Sequence, residues 1–144
     1  MWEKLYDEKG NLKYEGYTKL DEENKMVLPF GIGIRYYENG VKYLEGIFAD
    51  WFIEIGREYY PSGVLKFEGE YNKGQRSYYG PRYYARGNYY RENGSLWFSG
   101  IYKVNKVGSM NYPLISVPNI FYDGIEYDEQ GNQIIHLPKD FNMF

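Results

Sequence analysis

Few residues in this chain are equipped for bond-making chemistry. His136 is the single histidine and there is no cysteine. A Ser-His-Asp relay would have to centre on His136, and no thiolate nucleophile, disulfide or cysteine-ligated zinc can form. His136 stands among Ile135, Leu137 and Pro138 with no accompanying serine or acid motif, which argues against catalysis there. A metal would depend on carboxylates, yet no D-x-D-x-D-G loop occurs. Glu15, Glu45 and Glu68 share one repeat position and could form a carboxylate ladder, but Lys13 and Lys66 two residues away favour a solvated charged face. The expectation is a chain with no enzymatic site, no metal and no cofactor.

Binding chemistry is better represented. Arg76, Arg82 and Arg86 interleave with Tyr78, Tyr79, Tyr83 and Tyr84 around Gly80-Pro81. Tyr and Arg dominate interfaces because they bury area at modest entropy cost and offer directed hydrogen bonds. One reading makes this segment a partner-binding loop; the other packs its tyrosines on the protein and pairs its arginines with local acids. Tyr43 and Trp97 also fall where polar residues are expected. They form either an exposed aromatic patch for a partner or a surface covered by the apolar residues of 104–120.

The net charge of −3 lacks the basic footprint that displaces counterions from nucleic acid, so nucleic acid is disfavoured as a partner. No stretch approaches the roughly 18 apolar residues of a membrane helix, and Met1–Glu8 lacks the apolar run of a signal peptide. A cytoplasmic protein without membrane insertion is expected.

What must position these side chains is a repeat. Gly10, Gly40, Gly63, Gly94 and Gly131 are each preceded by four residues by a tyrosine: Tyr6, Tyr36, Tyr59, Tyr90 and Tyr127. Gly16, Gly46, Gly69 and Gly100 follow the first four by six residues, and Gly33, Gly56, Gly87 and Gly124 precede the last four by seven. Tyr60-Pro61-Ser62-Gly63 is turn chemistry, with Pro suited to the second position and Gly able to take positive φ as the bulge residue of a three-residue loop. Asp7–Gly10 and Asp128–Gly131 offer the same geometry, whereas Asn39-Gly40 and Asn93-Gly94 could instead make two-residue turns. Each unit is a hairpin in either case. The fold class expected is all-β: an antiparallel meander of about five tandem hairpins in an elongated, twisted sheet, with little or no helix. The chain reads as one domain, 1–144, with repeat cores near 3–16, 33–46, 56–69, 87–100 and 124–137. Insertions are expected at 75–86 and 104–120.

Counting outward from a three-residue loop opposes Tyr59 to Leu65 and Arg57 to Phe67. By parity the tyrosine column then shares a mostly apolar face with Leu12, Tyr14, Leu44, Leu65, Phe67, Leu96, Phe98 and Ile135, with Lys42 and Gln133 as its polar exceptions. Lys13, Glu15, Tyr43, Glu45, Lys66, Glu68, Trp97 and Ser99 take the opposite, polar face. The glycines six residues on fall on the apolar face, where a missing Cβ leaves room for an aromatic ring.

The segments YYENGVKYLEG, YYPSGVLKFEG and YRENGSLWFSG resemble the variant MORN repeat, and in particular bacterial repeat proteins of the YwqK antitoxin type. The resemblance runs from about Tyr6 to Ile135. It implies a meander of hairpins and a cytoplasmic protein that neutralises a co-encoded toxin by binding it. The alternative it leaves open is a structural or scaffolding repeat with lipid contact or self-association. Exposed sheet edges would allow a homodimer through strand addition. The irregular connections and the fifth unit, where Leu137 replaces the trailing glycine, depart from the family pattern.

Overall fold

The structure, a computed structural model, describes residues 1–76, 82–104 and 119–134. Among them are ten strands and no helix: β1 (Trp2–Tyr6), β2 (Leu12–Asp21), β3 (Met26–Tyr36), β4 (Lys42–Ala49), β5 (Phe52–Tyr59), β6 (Leu65–Arg76), β7 (Arg82–Tyr90), β8 (Leu96–Val104), β9 (Asn119–Tyr127) and β10 (Gln133–Ile134). They form one open antiparallel sheet in sequential order, so every strand pairs only with its chain neighbours. The edges are β1 and β10.

The five glycine-marked reversals are alike. In each, the turn glycine donates its N–H to the carbonyl three residues back, at 2.8–3.0 Å, as Gly63 does to Tyr60. The residue at that carbonyl donates to the residue after the glycine, as Tyr60 does to Val64. These are three-residue loops built on a type I turn, and Gly63 closes its loop at φ 95°, where a side chain is disfavoured. Asn39 and Asn93 therefore do not make two-residue turns. Their side-chain oxygens accept the N–H of Val41 and Ser95 at 3.0 and 2.9 Å instead. Neighbouring turns are also stapled together: the Tyr37 and Tyr60 hydroxyls donate to the carbonyls of Tyr59 and Tyr90, and the Arg91 Nη2 to that of Tyr127.

One feature of the register reverses the expected face assignment. Tyr59 does oppose Leu65, but the next pair is Glu58 with Phe67, so Lys66 is an extra residue. The same one-residue bulge falls at Tyr6/Leu12, Tyr36/Lys42 and Tyr90/Leu96. In such a bulge the extra residue and its successor lie on the same side of the sheet. Tyr43 and Trp97 thus join Leu44 and Phe98 on the face that holds the buried cluster, here the inner face, and both pack against that cluster. The tyrosine column moves to the outer face, which corrects the parity deduced from the loop alone.

The glycine columns interlock. Gly16, Gly33, Gly46, Gly56, Gly69, Gly87, Gly100 and Gly124 are successive backbone partners, a continuous row across β2 to β9. A Cβ on Gly87 would lie 2.9 Å from the Phe67 ring tip, and one on Gly124 2.8 Å from that of Phe98. Rings from neighbouring strands lie over the bare backbone, as expected for the apolar face. Bulge-doubled side-chain density on one side and flat-lying rings over glycine let a single-layer sheet bury Tyr14, Phe48, Phe67, Leu44 and Ile53 to 1% exposure or less. Phe67 stacks on Tyr84 at 3.9 Å and meets Tyr71 and Tyr102 edge-on.

The expected insertions shrink. β6 continues to Arg76 and β7 begins at Arg82, with Arg76 and Arg82 as backbone partners. Likewise β8 reaches Val104 and β9 begins at Asn119. The stretches 77–81 and 105–118 lie outside the described residues.

Candidate functional site

The outer face is organised by the relocated tyrosines. Tyr59 donates its hydroxyl to Glu45 at 2.8 Å and Tyr90 to Glu68 at 2.7 Å, each reaching the glutamate of the preceding hairpin. Tyr36 stands in the same relation to Glu15 at 3.5 Å. Arg57 flanks Glu68 at 3.7 Å and Lys42 flanks Glu45 at 3.3 Å. The Tyr90 hydrogen bond holds the Glu68 carboxyl below its ordinary pKa. For Glu45, partial burial opposes but does not overcome the hydrogen bonds from Tyr59 and Lys42 and the nearby cations, so its pKa is lowered as well. Glu45 and Glu68 are thus held charged and fixed in direction, and no cluster of three or more His, Cys, Asp or Glu residues able to hold a metal occurs among the described residues.

Tyr90→Phe should therefore lower stability at neutral pH by about 1 kcal/mol, the usual value of one lost hydrogen bond. A carboxylate with a depressed folded pKa stabilises above its unfolded pKa, and that contribution disappears as pH falls through the folded value. The difference between Tyr90→Phe and the parent should accordingly narrow below about pH 4. Urea melts across that range, with the Glu68 carboxyl followed by NMR, check both points.

Next to the ladder lies an apolar strip. Trp2, Tyr17, Ile32, Ile47 and Ile55 come from five adjacent strands and are 43–59% exposed. Ile47 is backbone partner to both Ile32 and Ile55, and Tyr17 to Trp2, whose ring meets the Tyr17 ring edge-on at 5.4 Å. The Trp2 Nε1 donates to Glu15 at 3.3 Å, so strip and ladder touch. At about 4.8 Å per strand the strip extends roughly 19 Å.

The inner face carries a buried ion pair. Glu58 is 2% exposed. Its Oε1 accepts from the hydroxyls of Tyr71 and Tyr84, both at 3.1 Å, and Lys66 lies 3.4 Å from its Oε2. Burial first, and then the Glu58 charge, push both phenols well above their ordinary pKa. With both oxygens engaged, this carboxylate ties β5, β6 and β7 together.

The residues expected to bind a partner are distributed as follows. Tyr83 and Tyr84 are in β7 and buried, at 8% and 3% exposure, and Tyr84 is part of the core. They are not contacts on a projecting loop, because strand pairing with β6 draws them into the sheet. Arg86 is exposed and opposes Glu70 and Ile101 on the outer face. Arg76 and Arg82 are placed by backbone only, and Tyr78 and Tyr79 lie outside the described residues. Tyr43 packs on Tyr37 at 4.6 Å with Arg35 over its ring. Trp97 stacks on Tyr89 at 5.3 Å and donates to Glu126 at 3.2 Å. Neither belongs to an outer aromatic patch. Glu58 and the isoleucine strip were not signalled, since Arg57-Glu58-Tyr59 looks like any solvated stretch and Ile32, Ile47 and Ile55 fall just outside the repeat cores.

No family model, curated protein or solved structure matches this chain.

Proposed function

We propose that the chain is a non-catalytic, protein-binding repeat module whose outer sheet face docks on a folded partner, in the role of an immunity protein that neutralises a co-encoded toxin. The observation that carries this reading is the exposed strip of Trp2, Tyr17, Ile32, Ile47 and Ile55 beside the fixed Glu15–Glu45–Glu68 ladder. Contiguous apolar surface rimmed by polar groups is typical of interaction sites. Aligned carboxylates steer a basic partner, and a toxin acting on nucleic acid has a basic surface. Each glutamate is already oriented by a tyrosine, so little side-chain entropy is lost on docking. Arg86 extends the same face toward β7.

The MORN-like hairpins and the cytoplasmic setting that their resemblance implies belong to this reading. Co-expression with the product of each adjacent gene tests it. Rescue of growth and co-purification of one such product are expected, and failure with every neighbouring candidate would refute the immunity role. Ile47→Asp should abolish rescue, because a charge at the centre of the strip costs at least about 2 kcal/mol of binding, more than tenfold in affinity. The variant should lose about 1–2 kcal/mol of stability, through the cross-strand pairs with Ile32 and Ile55, and remain folded, which a thermal melt checks.

A further inference from the structure

The inner face obeys a pairing rule. The bulge residue of each of the first four hairpins lies beside the residue five positions before a turn glycine, and these neighbours complement one another. Lys66 pairs with Glu58 at 3.4 Å, Trp97 stacks on Tyr89 and donates to Glu126, and the Arg35 guanidinium lies over Tyr43 at 5.3 Å. The rule fails at one place. Lys13, the bulge residue of the first hairpin, precedes Tyr14, the backbone partner of Arg35, so two cations adjoin. Both approach one indole: the Lys13 Nζ is 4.3 Å and the Arg35 Cζ 5.4 Å from the Trp51 ring centroid. Neither belongs to any of the ion pairs among the described residues, which are Lys9–Glu38, Lys42–Glu45, Arg57–Glu68 and Lys66–Glu58.

We propose that Lys13, Arg35 and the Trp51 ring form a binding site for a small oxyanion, a carboxylate or phosphate group, on the inner face beside the β4–β5 turn. The Arg35 Nη1 donates to the Trp51 carbonyl at 3.0 Å, which fixes the guanidinium and the turn together. Its Nε is enclosed with no hydrogen-bond partner. The Nη2 edge and the Lys13 ammonium remain as donors that an oxyanion can join. Desolvation pulls the Arg35 pKa down, with Tyr43 offsetting part of the shift, as expected for a cation enclosed without a counter-ion. Glu58, the nearest buried acid of the row, cannot serve, because Tyr71, Tyr84 and Lys66 occupy it. A partly buried arginine held without a carboxylate is costly to the fold, and an anion joining it would offset that cost.

The test is the indole N–H spectrum of the whole chain, whose three tryptophans give three resolvable signals. Sodium phosphate, sodium acetate and sodium chloride are titrated at matched ionic strength. A saturable shift of the Trp51 signal is expected with phosphate or acetate, with a dissociation constant on the order of 1 mM, and none with chloride. A response to acetate alone assigns a carboxylate ligand, and one to phosphate alone a phosphate ester. Arg35→Met should abolish the shift and Lys13→Met weaken it about tenfold. Equal, unsaturable shifts with all three salts would overturn the site. So would a saturable shift unchanged in Lys13→Met, a variant at a partly exposed position that decides the matter even if Arg35→Met does not fold.

Discussion

Gly56→Ala is expected to destabilise this protein by about 3–6 kcal/mol, from strain at positive φ combined with overpacking. That is a large share of the 5–15 kcal/mol typical of a whole domain. A Cβ at Gly56 would stand 2.1 Å from the Glu45 carbonyl oxygen, 2.7 Å from the Gly46 Cα and 2.9 Å from Ile53 Cδ1, with φ at 155°. Two of those atoms are backbone of a paired strand and cannot move without breaking the ladder. Gly63→Ala provides the contrast. Its Cβ would meet only Val41, at 3.9 Å, so strain at φ 95° is the whole cost, roughly 1–2 kcal/mol. Denaturant unfolding of the two variants should separate them clearly. If Gly56→Ala were neutral or stabilising, as Ala for Gly usually is in unstrained backbone, the glycine row would be wrong.

Glu58→Ala ranks second, at about 3–5 kcal/mol, the range for removing one partner of a buried charge pair. It would leave the Lys66 ammonium and two buried phenols, those of Tyr71 and Tyr84, without their shared acceptor. Glu58→Gln keeps one carbonyl oxygen for the phenols but turns its amide NH2 toward the Lys66 ammonium, so an intermediate loss of about 1–3 kcal/mol is expected. Thermal melts of both variants, with Lys66→Met in each background, test the assignment. Lys66→Met should recover part of the loss in Glu58→Ala, because it removes the stranded cation. Strict additivity would contradict the pair.

The hairpins were legible because turn chemistry is local: a Pro-Ser-Gly or Asp-x-x-Gly run needs no distant partner to favour reversal. The all-β meander and the pairing of Tyr59 with Leu65 follow from that local signal. Which side of the sheet each residue takes was not legible. The bulge after Leu12, Lys42, Leu65 and Leu96 admits Lys13, Tyr43, Lys66 and Trp97 alike, so no residue type marks it, yet one extra residue inverts parity for the rest of the strand. Parity from the loop alone therefore places the tyrosine column on the apolar face and Tyr43 and Trp97 on the opposite face, the reverse of the arrangement found. Tyr83 and Tyr84 stood between a partner-binding loop and the core for a related reason. Gly80-Pro81 suggested a broad loop, while pairing of β6 with β7 depends on contacts that proximity in sequence does not reveal. The repeat spacing carries no mark of the outer strip, because Ile32, Ile47 and Ile55 become neighbours only through the register.

The claim that the outer face is the working surface is tested most directly by calorimetry, titrating the co-purifying neighbour product into the parent chain and into Ile47→Asp. Saturable binding by the parent and none by the folded variant is the predicted result. Undiminished binding by Ile47→Asp would show that the partner docks elsewhere, and the account would fail.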